Sequence, residues 1–205
     1  MASEFSEFDW DSATLASRRN LPHVEQRDAI YFVTFRLADS LPWQKVRQWK
    51  YERDQWLAAN PPPHGAEQVS MLRKLFPERV HQCLDAGYGA CPLQQPAVGD
   101  IVEWVLRFGD GNTYRLGEFV IMPNHVHVLV QPATSSLDRI APAWKSISSR
   151  RINKALGRSG QLWQEESFDH IIRNQQKLEA ARRYIRENPQ NLPSGSYRVG
   201  CGSLQ

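Results

Sequence analysis

The stretch Tyr114-Arg-Leu-Gly-Glu-Phe-Val-Ile-Met122, Pro123-Asn124, His125-Val-His-Val-Leu-Val-Gln131 reads as two strands joined by a tight turn. Both runs favour strand, and a Pro-Asn pair between them favours a turn, so an antiparallel hairpin is predicted. Pro132 ends the second strand. Side chains alternate faces along a strand. His125 and His127 therefore share one face, while Val126, Val128 and Val130 point to the other, toward a core.

The rest of the chain is placed outward from this hairpin. Upstream, Ala29-Ile-Tyr-Phe-Val-Thr-Phe-Arg-Leu-Ala38 is a strong strand by its β-branched and aromatic content. Asp39-Ser-Leu-Pro42 starts a helix over about Trp43 to Ala59, which stops before Asn60-Pro-Pro-Pro-His-Gly65. Residues 61–95 read as a helical insertion, and Val98, Ile101, Val102, Val105 and Leu106 recur at helical spacing after it. Downstream, Ser135 or Ser136 caps a long basic helix to about Leu156. An extended segment covers Gln161 to Ile172, and a last helix runs from about Gln175 to Glu187. Without the insertion the order is β-α-β-β-α-β plus a final helix. That predicts an α+β, ferredoxin-like (RRM-like) fold, an antiparallel sheet with helices on one face. The expected organisation is an irregular N-terminal arm over 1–28, one domain over 29–191, and a loose, Gly/Ser-rich tail over 192–205.

Composition sets the outer bounds. The chain has 205 residues, 41% apolar and 23% charged, enough to build a core and too few charges for global disorder. No apolar run nears the roughly 20 residues of a membrane span, so no membrane partner is expected. The first 20 residues lack the apolar stretch of a secretory signal. Three cysteines without a CxxC pair argue against a disulfide framework and for a reducing cytoplasm. Charge is uneven: residues 1–28 hold three arginines against six acids, and residues 139–198 hold twelve Lys/Arg against five acids. A basic C-terminal third hints at a polyanion partner, although a solvated helix face gives the same pattern.

Two clusters could carry chemistry. Two histidines on one strand face are well placed to bind a single metal ion. On the last helix Tyr184 and Asn188 lie four apart and share a face, beside an apolar stripe of Leu178, Ala181 and Ile185 that would dock on the sheet. Taken singly, each feature also fits a bland role: partly exposed strand histidines, a boundary-core tyrosine, a helix-capping asparagine.

Taken together, Met122-Pro-Asn-His-Val-His-Val-Leu-Val130 and Ala181-Arg-Arg-Tyr-Ile-Arg-Glu-Asn-Pro189 resemble the two signature segments of HUH single-tyrosine transposases, and most of all the REP-associated tyrosine transposases. Arg19-Asn-Leu-Pro-His23, Tyr31-Phe-Val-Thr-Phe-Arg-Leu37 with Ser40-Leu-Pro42, and Trp163-Gln164 through Phe168-Asp-His-Ile-Ile-Arg173 extend the resemblance over about residues 18–191. It implies that His125 and His127 hold a divalent metal, that Asn188 matches the third ligand position, and that Tyr184 is the nucleophile. The implied reaction cuts hairpin-associated single-stranded DNA, leaving a 5′-phosphotyrosine link and a free 3′-hydroxyl. Mg²⁺ is the expected ion, with Mn²⁺ binding more strongly because imidazole suits it better. The resemblance favours a monomer over a dimer.

The expected DNA contacts are Arg18 and Arg19 in the arm, Arg150, Arg151, Lys154 and Arg158 on the long helix, and Arg182, Arg183 and Arg186 around Tyr184. Trp144, Trp163 and Phe168 are candidates for base stacking, with core packing expected for at least two of them. Asp169 and His170 fall on opposite faces of their strand; the expected role is structural, or for His170 a DNA contact. The rival readings are a non-catalytic single-stranded nucleic-acid-binding module on the same fold, and a hydrolytic metalloenzyme that forms no protein–DNA adduct.

Overall fold

The computed structural model describes residues 15–18, 22–26, 28–75, 77–165 and 167–204. Its centre is a five-stranded antiparallel sheet. The strands are β3 (Tyr31–Arg36), β4 (Tyr114–Ile121), β5 (His125–Pro132), β6 (Phe168–Ile171) and β7 (Arg198–Gly200), in the spatial order β6-β3-β5-β4-β7. The first four take the fourth-first-third-second arrangement of the split β-α-β pattern, so the expected α+β, ferredoxin-like class holds. A separate two-stranded antiparallel sheet pairs β1 (Leu15–Arg18) with β2 (Pro22–Glu25). The irregular arm expected over 1–28 is thus corrected for these residues. Arg19 and the side chain of Arg18 lie outside the described residues.

Helices α4 (Pro96–Phe108) and α5 (Leu137–Ala155) pack on the valine face. Val98, Val102, Val105 and Leu106 of α4, and Ile140, Trp144 and Ile152 of α5, meet Tyr31, Val33, Phe35, Val126, Val128 and Val130 in one core. Each buried aliphatic side chain there stabilises the fold by about 1.5–3 kcal/mol. Helix α6 (Gln175–Glu187) crosses the opposite face, where Leu178 and Ile185 join Ile30, Phe32, Val120, Met122 and Leu129. The Asn174 side chain caps α6 by accepting from the Lys177 amide at 2.9 Å.

Between β3 and α4 the chain makes an excursion through α1 (Trp43–Ala59), α2 (Ala66–Leu75) and α3 (Pro77–Asp85). Helix α1 buries no residue and packs through Val46 and Trp49 on Leu41, Val80, Cys83 and Leu84. The helix that covers the sheet after β3 is therefore α4, not the Trp43–Ala59 helix of the sequence pattern. Lys45, Arg47, Lys50 and Arg53 leave α1 no apolar stripe broad enough for a sheet, whereas α4 has one.

The loose tail expected over 192–205 is also corrected. Strand β7 pairs with the outer edge of β4, and Leu204 is buried with its amide on the Leu116 carbonyl at 2.8 Å. Arg198 holds Asp100 through Nε at 3.0 Å and Nη2 at 2.9 Å. The tail covers backbone groups that a sheet edge would otherwise leave unpaired. Its glycines suit this close docking: a Cβ on Gly202 would lie 2.5 Å from Asp110 Oδ2 and 2.6 Å from Leu116 Cβ.

Strand β4 carries an irregularity that matters for the site. Its register against β5 shifts between Leu116 and Phe119. Leu116 and Phe119 consequently both enter the valine-side core, while Val120 faces α6. The extra residue re-aims this part of the strand, and Glu118 meets α6 (below).

Candidate active site

His125 and His127 sit fully buried on β5, on the face that α6 covers. Their Nε2 atoms stand 3.0 Å apart. The other nitrogen of each ring is held. His125 Nδ1 is 2.7 Å from Asn124 Oδ1, and His127 Nδ1 is 2.7 Å from Thr34 Oγ1. Asn124 Nδ2 donates to the Tyr88 carbonyl at 2.9 Å. That carbonyl can only accept, so the amide turns its oxygen to His125, and His125 Nδ1 must donate. The Nε2 of His125 is left with its lone pair facing His127, the state a metal ligand needs.

Tyr184 comes from α6 in the same chain. Its hydroxyl is 3.5 Å from His127 Nε2, and the two rings meet edge-on with centroids 5.2 Å apart. Phe32 lies beneath both, 5.3 Å from the His127 ring and 5.9 Å from the Tyr184 ring. Burial pushes the phenol well above its ordinary pKa; the charge of Asp85, at the end of α3, pushes the same way, and a hydrogen bond with the Asn188 side chain opposes them. The excursion thus reaches the site twice, through Asp85 and through the Tyr88 carbonyl.

The residues present fit a divalent cation. Two imidazole nitrogens 3.0 Å apart match adjacent corners of an octahedral ion, which with bonds of roughly 2.1 Å stand roughly 3.0 Å apart. Asn188 Oδ1 is buried and has no hydrogen-bond partner among the described residues, so its lone pairs are open to a ligand. Among the described residues no group of three or more His, Cys, Asp and Glu side chains could hold a metal.

Other sequence candidates separate. Arg182 is held inward: its Nε lies 3.1 Å from Glu118 Oε1, with Arg182 and Glu118 side chains only 16% and 18% exposed. Arg186 Nη1 stands 4.0 Å from the same oxygen, and Arg183 is exposed. Arg150, Arg151, Lys154 and Arg158 are exposed, but they belong to α5 and the turn after it, on the layer opposite the histidines. Arg151 lies over the Trp104 ring at 3.8 Å. Trp144 and Trp163 are core residues, and Phe168 is exposed. His170 is exposed on edge strand β6, with its ring 5.2 Å from Phe32.

Three residues of the site lie in stretches quoted from the sequence but were given no role there. Thr34 and Asn124 hold the histidine rings. Thr34 is the polar residue amid apolar neighbours in its strand, and Asn124 is half of the turn. The third, Arg36, follows Thr34 on the same face and stands opposite His125 in the β3–β5 register. Its guanidinium is half-buried, and Nη1 donates to Ser40 Oγ at 3.2 Å. Among the described residues no carboxylate pairs with it, and burial alone lowers its pKa.

The sheet thus carries paired histidines on one face, with the tyrosine-bearing helix α6 laid across them. Residues 94–188, which carry both histidines, Tyr184 and Asn188, match the family model described as transposase, IS200 like. The resemblance read from the sequence motifs holds over that segment. The solved structure of a REP-associated tyrosine transposase bound to a REP hairpin aligns with 86% of this chain and 73% of its own, at 15% identity and a TM-score of 0.44. No curated protein matches the chain. No helix among the described residues is long and apolar enough to cross a membrane.

Proposed function

We propose that this chain is a metal-dependent, single-tyrosine DNA endonuclease and strand transferase acting on hairpin-forming single-stranded DNA. The observation that carries the reading is the placement of the Tyr184 hydroxyl 3.5 Å from His127 Nε2, with His125 Nε2 a further 3.0 Å away, all in one chain. Since one chain supplies the nucleophile and both histidines, a monomer suffices.

The Tyr184 oxygen attacks a backbone phosphorus. The O–P bond forms as the bond from phosphorus to the 3′ oxygen breaks, and the phenolic proton ends on the released 3′-hydroxyl. One phosphodiester replaces another, so the step reverses without an energy source when a 3′-hydroxyl attacks the phosphotyrosine. Held above its ordinary pKa, the phenol is a weak nucleophile at neutral pH, and orientation must supply much of the rate. Phe32 and the α6 packing fix the ring, and the Arg182–Glu118 pair holds α6 on β4. Asn124 and Thr34 hold the imidazoles so that His125 and His127, with Asn188, can bind Mg²⁺ or Mn²⁺. When bound, such a cation polarises the phosphate and neutralises developing charge.

Exposed Arg183 and Arg186 flank the tyrosine and suit the strand being cut. Arg150, Lys154 and Arg158 lie on the far layer, where they would meet a stem rather than the cleaved strand.

The test is a covalent-adduct assay with labelled single-stranded hairpin DNA and Mn²⁺ on a denaturing gel. Label moving with the protein is expected, lost with EDTA and lost in Tyr184→Phe while hairpin binding persists. An adduct that survives Tyr184→Phe refutes the assignment.

A further inference from the structure

We infer that Arg36 is a phosphate-binding residue of this site, holding the DNA phosphodiester at the end of the histidine pair away from Tyr184. For its substrate the inference rests on the transposase reading above.

Position comes first. Arg36 and His125 are directly paired in the antiparallel β3–β5 ladder. Paired residues on one face of such a ladder have their Cβ atoms about 5 Å apart. Two residues back on the same face, Thr34 hydrogen-bonds His127, and two further back Phe32 touches both His127 and Tyr184. Along this face the order is therefore Tyr184, His127, His125, Arg36. A nucleophile stands at one end of the metal-binding pair and a fixed cation at the other.

The second observation is what Arg36 lacks. A half-buried guanidinium loses water and ordinarily recovers that loss from a carboxylate. Arg182 on the same side of the sheet has Glu118, and Arg198 has Asp100. Among the described residues Arg36 has only the Ser40 hydroxyl, which itself donates to the Leu37 carbonyl at 2.7 Å. Four of its five N–H groups are not used in that bond. Ser40 is fully buried, so the contact fixes the direction of the guanidinium without neutralising it. A cation kept oriented and partly dehydrated, with no carboxylate among the described residues, is complementary beside a nuclease-type site to an anion that arrives with the substrate, and a planar guanidinium suits two phosphate oxygens. In the reaction it would stabilise negative charge on the non-bridging oxygens as the Tyr184–phosphorus bond forms and the bond to the 3′ oxygen breaks.

The test uses the full chain with three substitutions: Arg36→Gln, Arg36→Lys, and Tyr184→Phe as a non-cleaving background. Arg36→Gln should lower the single-turnover rate of adduct formation by roughly 10²–10³-fold. In the Tyr184→Phe background it should weaken binding of a short oligothymidine by about ten- to a hundredfold. It should leave binding of the uncharged methylphosphonate counterpart unchanged. Arg36→Lys should recover part of both losses. Mn²⁺ affinity should stay the same, and Tm should hold or rise, because an unpaired half-buried charge has been removed. A fall in Tm with equal losses on charged and uncharged oligonucleotides would make Arg36 structural and overturn the inference; so would full activity in Arg36→Gln. If the native chain forms no adduct, the transposase reading fails, whereas the oligothymidine comparison still decides the role of Arg36.

Discussion

On one side of β5, Val126, Val128 and Val130 meet the apolar stripes of α4 and α5; on the other, His125 and His127 meet Thr34, Asn124 and Tyr184. Both sides are buried to the same degree, yet they are held by different physics. The valine side is held by dispersion and the hydrophobic effect, which reward any close fit. The histidine side buries polar atoms, and each must find a partner or a ligand. Most of them do, through Asn124, Thr34 and the Tyr88 carbonyl. Among the described residues Asn188 Oδ1, Glu118 Oε2 and Arg182 Nε on this side lack a hydrogen-bond partner, and no carboxylate pairs with Arg36. Asn188 Oδ1 and the Arg36 guanidinium are the groups of this face that a ligand could satisfy.

Substitutions can break this contrast, and the largest effect is expected at the histidines. His127→Ala removes a metal donor and the neighbour of the Tyr184 hydroxyl, so adduct formation should fall to background. Circular dichroism should show an unchanged fold, because the valine-side core is untouched. Trp144→Ala should do the reverse. Its indole donates to Tyr114 Oη at 2.8 Å and stacks edge-on with the Tyr114 ring, so truncation should cost about 3–5 kcal/mol in a denaturant titration. Activity per folded molecule should persist. The smallest of the three sharpens the contrast. Asn124→Ala frees the His125 tautomer without removing a ligand, and should lower Mn²⁺ affinity about 10–100-fold by metal titration, with little change in Tm. Equal losses of stability and metal affinity in that variant would mean the two faces are not separable.

The legibility of the molecule followed the same division. Period-two alternation in His125-Val-His-Val-Leu-Val130 named the core side and the histidine side correctly, since strand geometry leaves no other choice. The apolar stripe of Leu178, Ala181 and Ile185 announced that the last helix docks on the sheet. That Tyr184 and Asn188 share a face followed from their spacing on that helix, while their roles came only from the resemblance. The failures came where local composition competes with long-range contact. A tail rich in glycine and serine read as loose, and it is an edge strand because the backbone of β4 needed a cover. The Trp43–Ala59 helix read as the partner of the sheet, and it is not, because α4 offers the better stripe.

The sequence by itself determined the succession of the central strands and helices along the chain and the face each β5 side chain would take, and its motifs' resemblance implied the pairing of a tyrosine with two histidines. The first two depend on residues near one another in the chain, where steric periodicity is strict. Only the tertiary structure decided which polar groups hold the imidazoles, that Glu118 would turn to claim Arg182, and that Arg36 would lie beside His125 with no carboxylate partner among the described residues. Each depends on register and a bulge across strands distant in sequence. A shift of one residue there would turn Thr34 and Arg36 to the other face of the sheet.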